Sequence, residues 1–447
     1  MKTINKKVII FLVLLLGFVC FFSFYLYPRL SIATGFAAKA MCSCHFVAGR
    51  EVAEIQKNVL YHSLLPYVSN VVNETAKEVT STFLGMKPKV ARYKEGVGCF
   101  LVSSENSGFL YTIDTTNFNT NTLQPSFQWI SGKTFGTNMS GLETAVENAF
   151  DLGRKIDIKK TTAVLVIHKD TLIAEAYAKP FEINSLQLGW SMTKSLMNTF
   201  IGLMVMNGKV DLSQHSLFPS WKNDDRKNIT LNDLLHMSSG LSWEEDYTKV
   251  SDVTKMLYEG GNVTLIPLNK KLSHPAGSHW LYSSGTSNLI SLYIRNQFSN
   301  DEAYFSYMKR RLFNVLGMES IIMETDQSGH FIGSTYTYAT PRDWAKFGLL
   351  YLHDGVWMGK RLLPDYWVNY SKSPAEHSDH KYGAHFWINK NFSHYKDAPE
   401  DMFFADGYQG QFVFIIPSKD LVIVRMGIAD KDFDVNTFLK EILQNIQ

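Results

Sequence analysis

Charged residues are scarce in this sequence of 447 residues. Only 19% of the residues are charged and 45% are hydrophobic, which is the balance of a chain that buries a large core in one or two domains. The 44 Lys and Arg nearly cancel the 42 Asp and Glu, leaving a formal net charge of +2. Because the chain has neither a basic surplus nor an acidic tail, we do not expect nucleic acid as a partner.

Cysteine is rarer still, with four residues in the whole chain. Cys20 lies in an apolar N-terminal segment, which leaves Cys42, Cys44 and Cys99. The C-x-C spacing, with His45 directly adjacent, matches no zinc signature, so we predict no metal site here. We expect buried thiols with at most one disulfide, from Cys99 to either Cys42 or Cys44. Internal repeats and low-complexity tracts are also absent.

The N-terminus contains the longest uncharged stretch. Three lysines within the first seven residues precede Val8 to Tyr27, twenty residues without a charge. This length can cross a bilayer as a helix, and its positive flank is expected on the cytoplasmic side. A cleaved signal peptide usually has a shorter apolar stretch and a small-x-small site, whereas Pro28 and Arg29 follow here. We therefore favour an uncleaved anchor in residues 1–29, with the rest of the chain extracytoplasmic, or periplasmic in a Gram-negative bacterium.

Residues 30–137 are interpreted as an accessory N-terminal region and linker. Apolar positions recur at helical spacing over 50–83, where Pro66 must interrupt or start a helix. Residues 92–113 alternate as a β-strand does. Residues 114–137 are rich in Thr, Asn, Ser and Gly and lack periodicity, as is typical of a linker or long loop.

Residues 138–447 are predicted to form a single α+β domain. The pattern indicates a helix at 141–153, then two apolar runs split by Lys169-Asp170 as in a β-hairpin. A helix follows Trp190 and ends at Asn207-Gly208. Helices and loops fill 209–375. The end of the domain is predicted as strands at 411–417 and 421–428, then a terminal helix. This order implies one antiparallel sheet assembled from both ends of the domain, with helices on its faces.

The stretch QLGWSMTKSL at 187–196 holds a candidate nucleophile. A serine hydroxyl attacks efficiently only when a base takes its proton. Ser191 and Lys194 are three residues apart, so a helix places them on one face. A lysine acts as a base only when burial or neighbouring charge keeps it neutral, and the apolar residues around Lys194 are consistent with burial. The alternative is an ordinary serine cap beside a solvated lysine.

Two later stretches could complete such a site. Tyr282-Ser283-Ser284 precedes a predicted helix, where a phenol could pass a proton to a leaving group and the Ser284 hydroxyl could contact a substrate carbonyl. Gly407 and Gly410, in FADGYQGQFVFIIP, let the backbone approach a ligand closely. Taken singly, Tyr282 fits a core aromatic better, and the glycines fit a turn or bulge better.

Taken together and in this order, the three stretches resemble the motifs of the serine β-lactamase and penicillin-binding-protein superfamily. The resemblance is to its class C β-lactamase-like branch, which includes esterases and 6-aminohexanoate-dimer hydrolases. It covers roughly residues 140–447. The connecting segments NGKVDLS, LLHMSSGLSW and TYATPRDWAKFGLLYLHDGVW resemble the branch as well.

The resemblance assigns roles to individual residues. It implies Ser191 as the acylated nucleophile, Lys194 as its base and Tyr282 as the residue that shuttles the proton. The backbone N–H groups of Ser191 and Gln411 would form the oxyanion hole. The remaining substrate-contacting positions that it implies are Ser284, Tyr408, Gln409 and Gly410. No metal or organic cofactor is implied.

The sequence departs from the family pattern at two of these positions. Ser284 stands where class C β-lactamases have Asn, and Tyr408 stands where many members have Lys or His. A neutral Tyr408 offers no charge to a substrate carboxylate, which disfavours penicillins and peptide C-termini. We therefore expect a serine hydrolase of a small ester, amide or peptide-like substrate. The alternatives are a cell-wall D,D-peptidase or β-lactamase, or a non-catalytic ligand-binding membrane protein.

The histidines are not expected to form a metal site. His236 is interpreted as a residue that holds loop structure. His377, His380, His385 and His394 form a His-rich stretch, but their spacing does not place them on one helix face.

Overall fold

The computed structural model describes residues 6–103, 130–131, 140–151, 159–428 and 433–446. These residues divide into two compact units. The first contains residues 6–103 together with Glu244–Val263 and Asp326–Ser328, and the second contains the rest. Two short stretches of the predicted hydrolase range therefore group with the N-terminal unit. Apart from 130–131, the predicted linker at 114–137 lies outside the described residues, as does the predicted domain boundary at 137/138.

The first unit begins with one long helix in several sections. Its α-helical parts are α1 (Lys6–Phe21) and α2 (Tyr27–Cys42), joined by a π-helical turn at Phe22–Leu26 and followed by another at Ser43–Val47. The described stretch Ile9–Val47 is long and apolar enough to be a membrane anchor or a signal sequence. The α1 side chains whose burial is described are exposed, whereas α2 is largely buried in the unit. The apolar segment thus continues directly into a core helix.

A four-stranded antiparallel sheet packs on α2. Its strands are β1 (Val68–Asn73), β2 (Glu78–Phe83), β3 (Met86–Lys94) and β4 (Gly98–Leu101), in that order. A short helix, α3 (Val52–Asn58), precedes them, and α7 (Asp252–Tyr258) packs against α2. The contact at Gly35 is close, because a Cβ there would lie 2.0 Å from the carbonyl oxygen of Tyr258.

A disulfide between Cys42 and Cys99 links α2 to β4. Of the two pairings that the sequence left open, the structure has this one. Cys44 is buried nearby and accepts a hydrogen bond from Arg50 Nη1 at 3.6 Å.

The helical spacing predicted over 50–83 is correct only for α3. From Val68 onward the same stretch forms β1 and β2, so the helix prediction is wrong there. Val68, Val71, Val72, Val79 and Thr80 are β-branched and favour a pleated strand. The polar segment between the strands supplies the turn.

The second unit is built on a seven-stranded sheet, which is antiparallel except for one edge pair. The spatial order is β13-β14-β15-β16-β6-β7-β5, and β5 runs parallel to β7. Its strands are β5 (Ile130–Ser131), β6 (Thr161–His168), β7 (Thr171–Tyr177), β13 (Trp387–Ile388), β14 (Phe403–Gly407), β15 (Gln411–Ile416) and β16 (Leu421–Gly427). Since β6 pairs with β16 from the far end of the chain, and β7 continues the sheet beside β6, the predicted sheet assembled from both ends is confirmed.

Smaller strand groups and helices surround this sheet. A three-stranded group contains β8 (Gln187–Leu188), β10 (Thr337–Ala339) and β9 (Ile322–Met323), and a hairpin contains β11 (Val356–Trp357) and β12 (Lys360–Arg361). The helices are α4 (Ser140–Asn148), α5 (Thr193–Met206), α6 (Leu231–Leu235), α8 (Leu265–Leu268), α9 (Ser284–Arg295), α10 (Asp301–Met308), α11 (Asn314–Leu316), α12 (Pro341–Leu352), α13 (Trp367–Ser371) and α14 (Val435–Leu443).

The sheet is covered on both faces. On one face, α4 and α14 share a core cluster with sheet residues such as Val164, Phe414 and Ile423. On the other face α12 packs so closely that a Cβ at Gly348 would lie 2.7 Å from a methyl group of Val422. The predicted helix after Trp190 is α5, and it ends as expected at Asn207 before the left-handed Gly208 (φ 65°).

Candidate active site

Ser191 lies on a tight turn between β8 and α5. The turn Trp190–Met192 is a single 3₁₀ turn that leads directly into α5. Gly189 precedes it with no room for a side chain, because a Cβ there would lie 2.3 Å from the Trp344 ring. Trp190 adopts a left-handed φ of 47°, a conformation that costs energy for a non-glycine residue. The position of Ser191 is therefore fixed by Gly189 and Trp190 before it and by α5 after it.

Lys194 reaches Ser191 from the first turn of α5. Its side chain is 1% exposed, and Nζ lies 3.0 Å from Ser191 Oγ. Nζ also lies 3.1 Å from Ser284 Oγ and 2.9 Å from the carbonyl oxygen of Ser334. Three contacts from one nitrogen fix the Lys194 side chain in one position beside the serine.

The second predicted stretch, Tyr282-Ser283-Ser284, also contacts Lys194. Ser283 caps α9 by accepting a hydrogen bond from the Thr286 N–H at 3.0 Å, which places Ser284 at the first helical position. The Tyr282 ring stacks on Trp387 with 5.4 Å between centroids. The Lys194 ammonium position is 4.9 Å from the centroid of Tyr282. The structure thus brings Ser191, Lys194, Tyr282 and Ser284 together.

The third predicted stretch is the turn between β14 and β15. Gly407, the last residue of β14, pairs with Gln411 at the start of β15. A Cβ at Gly407 would lie 2.2 Å from the carbonyl oxygen of Gly189, so this strand end packs directly against the turn that carries Ser191. The Gln411 side chain is directed to β16, where its Oε1 accepts the Gly427 N–H at 3.0 Å.

Tyr408 and Gln409 form the open part of this turn. Tyr408 is 54% exposed, and its ring meets Trp190 edge to face at 5.5 Å. Gln409 and Gly410 both have left-handed φ values, 66° and 79°. The surface beside Ser191 is therefore lined here by two neutral aromatic rings.

Several residues around the site carry no signal in the sequence. The Ser334 carbonyl that holds Lys194 lies in a buried loop, where the Ser334 N–H donates to Asn288 Oδ1 of α9 at 3.1 Å. Gly333 fits beside it only as glycine, since a Cβ would lie 2.8 Å from Met197 Sδ. No motif near Ser334 or Asn288 could have indicated this contact, because it depends on loop packing.

His385 is a second residue near the site whose contacts no sequence motif indicates. It holds two helices together. Nδ1 lies 2.7 Å from the Leu235 carbonyl oxygen and Nε2 lies 2.9 Å from Ser287 Oγ. Because a carbonyl only accepts, Nδ1 carries the proton and Nε2 accepts from the serine. Burial lowers the pKa of His385 to about 3, so the ring is neutral. It joins α9 to the end of α6.

Two titratable residues lie close to the third stretch, the half-buried Asp406 on β14 and the buried Arg425 on β16. Burial raises the pKa of Asp406 to about 7, and the nearby charge of Lys194 partly opposes this shift. Arg425 is fully buried on β16, and burial lowers the pKa of its guanidinium to about 9. Its Nη1 donates to the carbonyl oxygen of Gly410 at 2.6 Å and its Nη2 to that of Lys159 at 2.8 Å.

Of the other histidines, His274 and His279 stack on each other with 4.1 Å between ring centroids, and His236 packs on α13. His236 Nδ1 contacts the carbonyl oxygen of Asn232 at 3.1 Å, and its ring packs edge to face on Tyr370, as expected for a residue that holds loop structure. Within the described residues, no group of three or more His, Cys, Asp or Glu is arranged to hold a metal ion.

The turn that carries Ser191 packs on β14 and β15 of a mostly antiparallel sheet and leads into the helix that carries Lys194. This arrangement is that of the α+β fold of the serine β-lactamases. The beta-lactamase family matches residues 158–434 of this chain. The chain belongs to this family.

Two solved structures share the fold. One, from Bacillus anthracis and named as a 6-aminohexanoate-dimer hydrolase, is 21% identical with a TM-score of 0.55, over 64% of this chain and 78% of that chain. A class C beta-lactamase is 13% identical with a TM-score of 0.54, over 70% of this chain and 98% of that chain. These likenesses show the fold.

Among curated proteins, a 6-aminohexanoate-dimer hydrolase from Paenarthrobacter ureafaciens is 22% identical over 231 residues. The match covers 49% of this chain and 58% of the relative. The chain therefore spans a little over half of that relative's length. The family match and the likeness to these solved structures give the chain the β-lactamase fold.

Proposed function

We propose that the chain is a serine hydrolase that cleaves an ester or amide bond through an acyl-Ser191 intermediate. The observation that carries the proposal is the 3.0 Å contact between Lys194 Nζ and Ser191 Oγ, made by a lysine that is 1% exposed. A nucleophile and a base within hydrogen-bond reach, with the base oriented by further groups, are the parts that covalent catalysis needs. Ser284 and the Ser334 carbonyl orient this base.

In the acylation step, Lys194 as the uncharged amine takes the Ser191 proton while Oγ attacks the substrate carbonyl carbon. The carbonyl π-electrons move to oxygen, and the resulting oxyanion accepts from the Ser191 N–H and from a backbone N–H of the Gly407–Gln411 turn, proposed to be that of Gln411. When the oxyanion collapses, the bond to the leaving group breaks. The leaving group then takes the proton by way of Tyr282.

Deacylation uses the same groups in reverse. Water gives its proton to the Tyr282 and Lys194 pair and attacks the acyl-enzyme carbonyl. The Ser191 oxygen leaves and takes a proton back, and the carboxylic acid is released.

The residues of the third stretch favour a substrate whose part next to them has no carboxylate. Tyr408, Gln409 and Gly410 provide only uncharged groups, and Tyr408 packs on the equally neutral Trp190. The substrate class that we propose is a small ester or linear amide. The relative from P. ureafaciens, named for a 6-aminohexanoate dimer, supports the choice of an amide bond.

We further propose that α1 anchors the enzyme in a membrane, with the rest of the chain on the extracytoplasmic side. The exposed apolar surface of α1 supports this proposal, because such surface is not left in water without a partner. Lys2, Lys6 and Lys7, at the N-terminal end of the apolar segment, support the orientation.

The test uses the full chain in detergent with a fluorophosphonate, a penicillin and p-nitrophenyl esters. We expect ester turnover and a covalent adduct that mass spectrometry places on Ser191. Ser191→Ala is the matched control, because it leaves Ser195 and Ser284 in place and should give no adduct. Lys194→Ala should lose the adduct as well.

An absence of both adduct and turnover in the folded wild-type chain would overturn the enzyme proposal. A long-lived penicilloyl adduct would instead favour the peptidase.

A further inference from the structure

Leu84, at the tip of the β2–β3 hairpin, is an apolar residue at a position that is both exposed to solvent and left-handed. Leu84 is 75% exposed, and its φ of 48° lies in the left-handed region. Two-residue turns of this kind usually hold Asn, Asp or Gly, as Gly85 (φ 77°) does at the next position. An exposed leucine on an unfavourable backbone points to a contact that this side chain makes with something else.

A large aromatic side chain lies at the same end of the first unit's sheet. Val68 pairs with Phe83 across β1 and β2, so Tyr67 and Leu84, which flank this pair, lie side by side. Tyr67 is 66% exposed. The β1–β2 turn around Ala76, at the opposite end of β2 from Leu84, is polar and exposed.

This end of the sheet lies at the point where the uncharged part of the long helix stops. The pairing of β2 and β3 shifts register beyond the Phe83 and Met86 pair, so β3 bulges at Lys87. The Lys87 Nζ lies 3.8 Å from the ring centroid of Tyr27, and Tyr27 ends the twenty-residue uncharged segment. Leu84 and Tyr67 are therefore beside the boundary between apolar helix and folded unit.

The chemistry at this boundary is that of a membrane interface. Tyrosine rings settle at the headgroup level of a bilayer, and lysine and arginine extend their charges to the same depth. Arg29 stacks over the Tyr25 ring at 3.7 Å. No Asp or Glu precedes Glu51 in the sequence, and none lies between Glu78 and Glu95. From these segments, anionic headgroups would meet cationic side chains and no carboxylate. Glu259 of the same unit, which accepts from Ser31, is paired with Lys89 at 3.1 Å.

We propose that Tyr27, Tyr67, Leu84 and Lys87 form an interfacial patch that seats the first unit on the lipid bilayer. Leu84 enters the upper acyl region, and Lys87 and the tyrosines occupy the headgroup layer. The inference rests on the proposed anchoring by α1 and adds a second contact to it. A single helix leaves the unit free to tilt, whereas two contacts fix the orientation of its sheet to the membrane.

The experiment places a fluorescent NBD group on single cysteines of the full chain, reconstituted in phosphatidylcholine and phosphatidylglycerol vesicles. The background is Cys20→Ser, in which Cys42 and Cys99 are joined and Cys44 is buried. One probe is Leu84→Cys. The matched control is Ala76→Cys, in the β1–β2 turn at the opposite end of β2. A separate sample uses the chain without the Cys20→Ser change. There the NBD group is placed on Cys20, which is exposed on α1, and it reports the anchor independently.

We expect lipids brominated near the headgroup to quench the probe at position 84 and to leave the probe at 76 bright. Adding Lys87→Glu to the Leu84→Cys chain should weaken the quenching in vesicles that contain phosphatidylglycerol.

A quenched probe at Cys20 with a bright probe at 84 would overturn the patch and leave the anchor standing. A bright probe at Cys20 would show that the anchor itself fails. A probe at 84 already shielded in detergent, without vesicles, would point to a protein contact and also overturn the patch.

Discussion

Arg425 donates to the carbonyl oxygen of Gly410 at 2.6 Å, from inside the sheet, behind the turn that carries Tyr408. The space is fully used, because a Cβ at Gly410 would lie 2.1 Å from the same nitrogen. A trans peptide directs its N–H away from its C=O. Holding the Gly410 carbonyl toward Arg425 therefore directs the Gln411 N–H the other way. Through this contact a buried cation positions the third stretch of the candidate site.

Replacing Arg425 with Met should loosen this turn. The change removes the donors to the Gly410 and Lys159 carbonyls, and each buried acceptor left unpaired costs about 1–3 kcal/mol. We expect kcat/KM for ester hydrolysis to fall roughly 10- to 100-fold, with a lower Tm. Steady-state kinetics and thermal unfolding measure both. Arg361→Met is the matched control, since Arg361 also donates to backbone carbonyls, but on the β11–β12 hairpin; it should leave kcat/KM unchanged.

Ser284→Ala should lower kcat more than it raises KM. The sequence suggests that this hydroxyl meets the substrate, whereas in the structure it contacts Lys194 Nζ at 3.1 Å. Losing one of the contacts that hold the base should reduce kcat about 10-fold, as expected for a group of modest catalytic effect. Ser291→Ala, on the same helix but bonded to the Phe331 carbonyl, should have wild-type kinetics. A rise in KM alone would assign Ser284 to substrate binding instead.

Tyr408→Lys should change substrate preference without unfolding the protein, because Tyr408 is 54% exposed. A cation at this position can pair with a substrate carboxylate, which is worth about 1.5–3 kcal/mol for a charged hydrogen bond. We expect the ratio of kcat/KM for a carboxylate-bearing ester over its neutral analogue to rise about 10-fold or more. Tyr408→Phe removes only the hydroxyl and should leave the ratio unchanged. An unaltered ratio in the lysine variant would place the substrate elsewhere.

Asp406→Asn should flatten the dependence of stability on pH. Burial raises the pKa of Asp406 from 3.8 to about 7, so the folded state prefers the protonated acid. This contribution to stability is fully present below pH 3.8 and is lost as pH rises to about 7. Urea unfolding between pH 4 and 8 should therefore show a smaller loss of stability in Asp406→Asn than in the wild type. Asp401→Asn, which removes a carboxylate that binds Ser418 at the surface, is the control.

Much of the fold follows from local pattern. The β6–β7 and β15–β16 hairpins, and α5 with its end at Gly208, were all predictable because alternation, turn residues and helical spacing act within a few residues. The prediction fails at β1 and β2, where a helical spacing of apolar residues coincides with β-branched residues that pack better in a sheet. The grouping of Glu244–Val263 with the N-terminal unit has no sequence signal, since it depends on which surfaces meet after folding.

The sequence by itself determined that Ser191 and Lys194 share one helix face, because three residues make almost one turn whatever surrounds them. It also determined the uncharged length of the N-terminal segment. Only the tertiary structure decided that Ser334 and Ser284 hold the lysine, that Arg425 holds the Tyr408 turn, and that Cys42 rather than Cys44 meets Cys99. These contacts join residues 57 to 140 positions apart or lie on different strands. Such distances are closed by the packing of the whole chain, which no local pattern encodes.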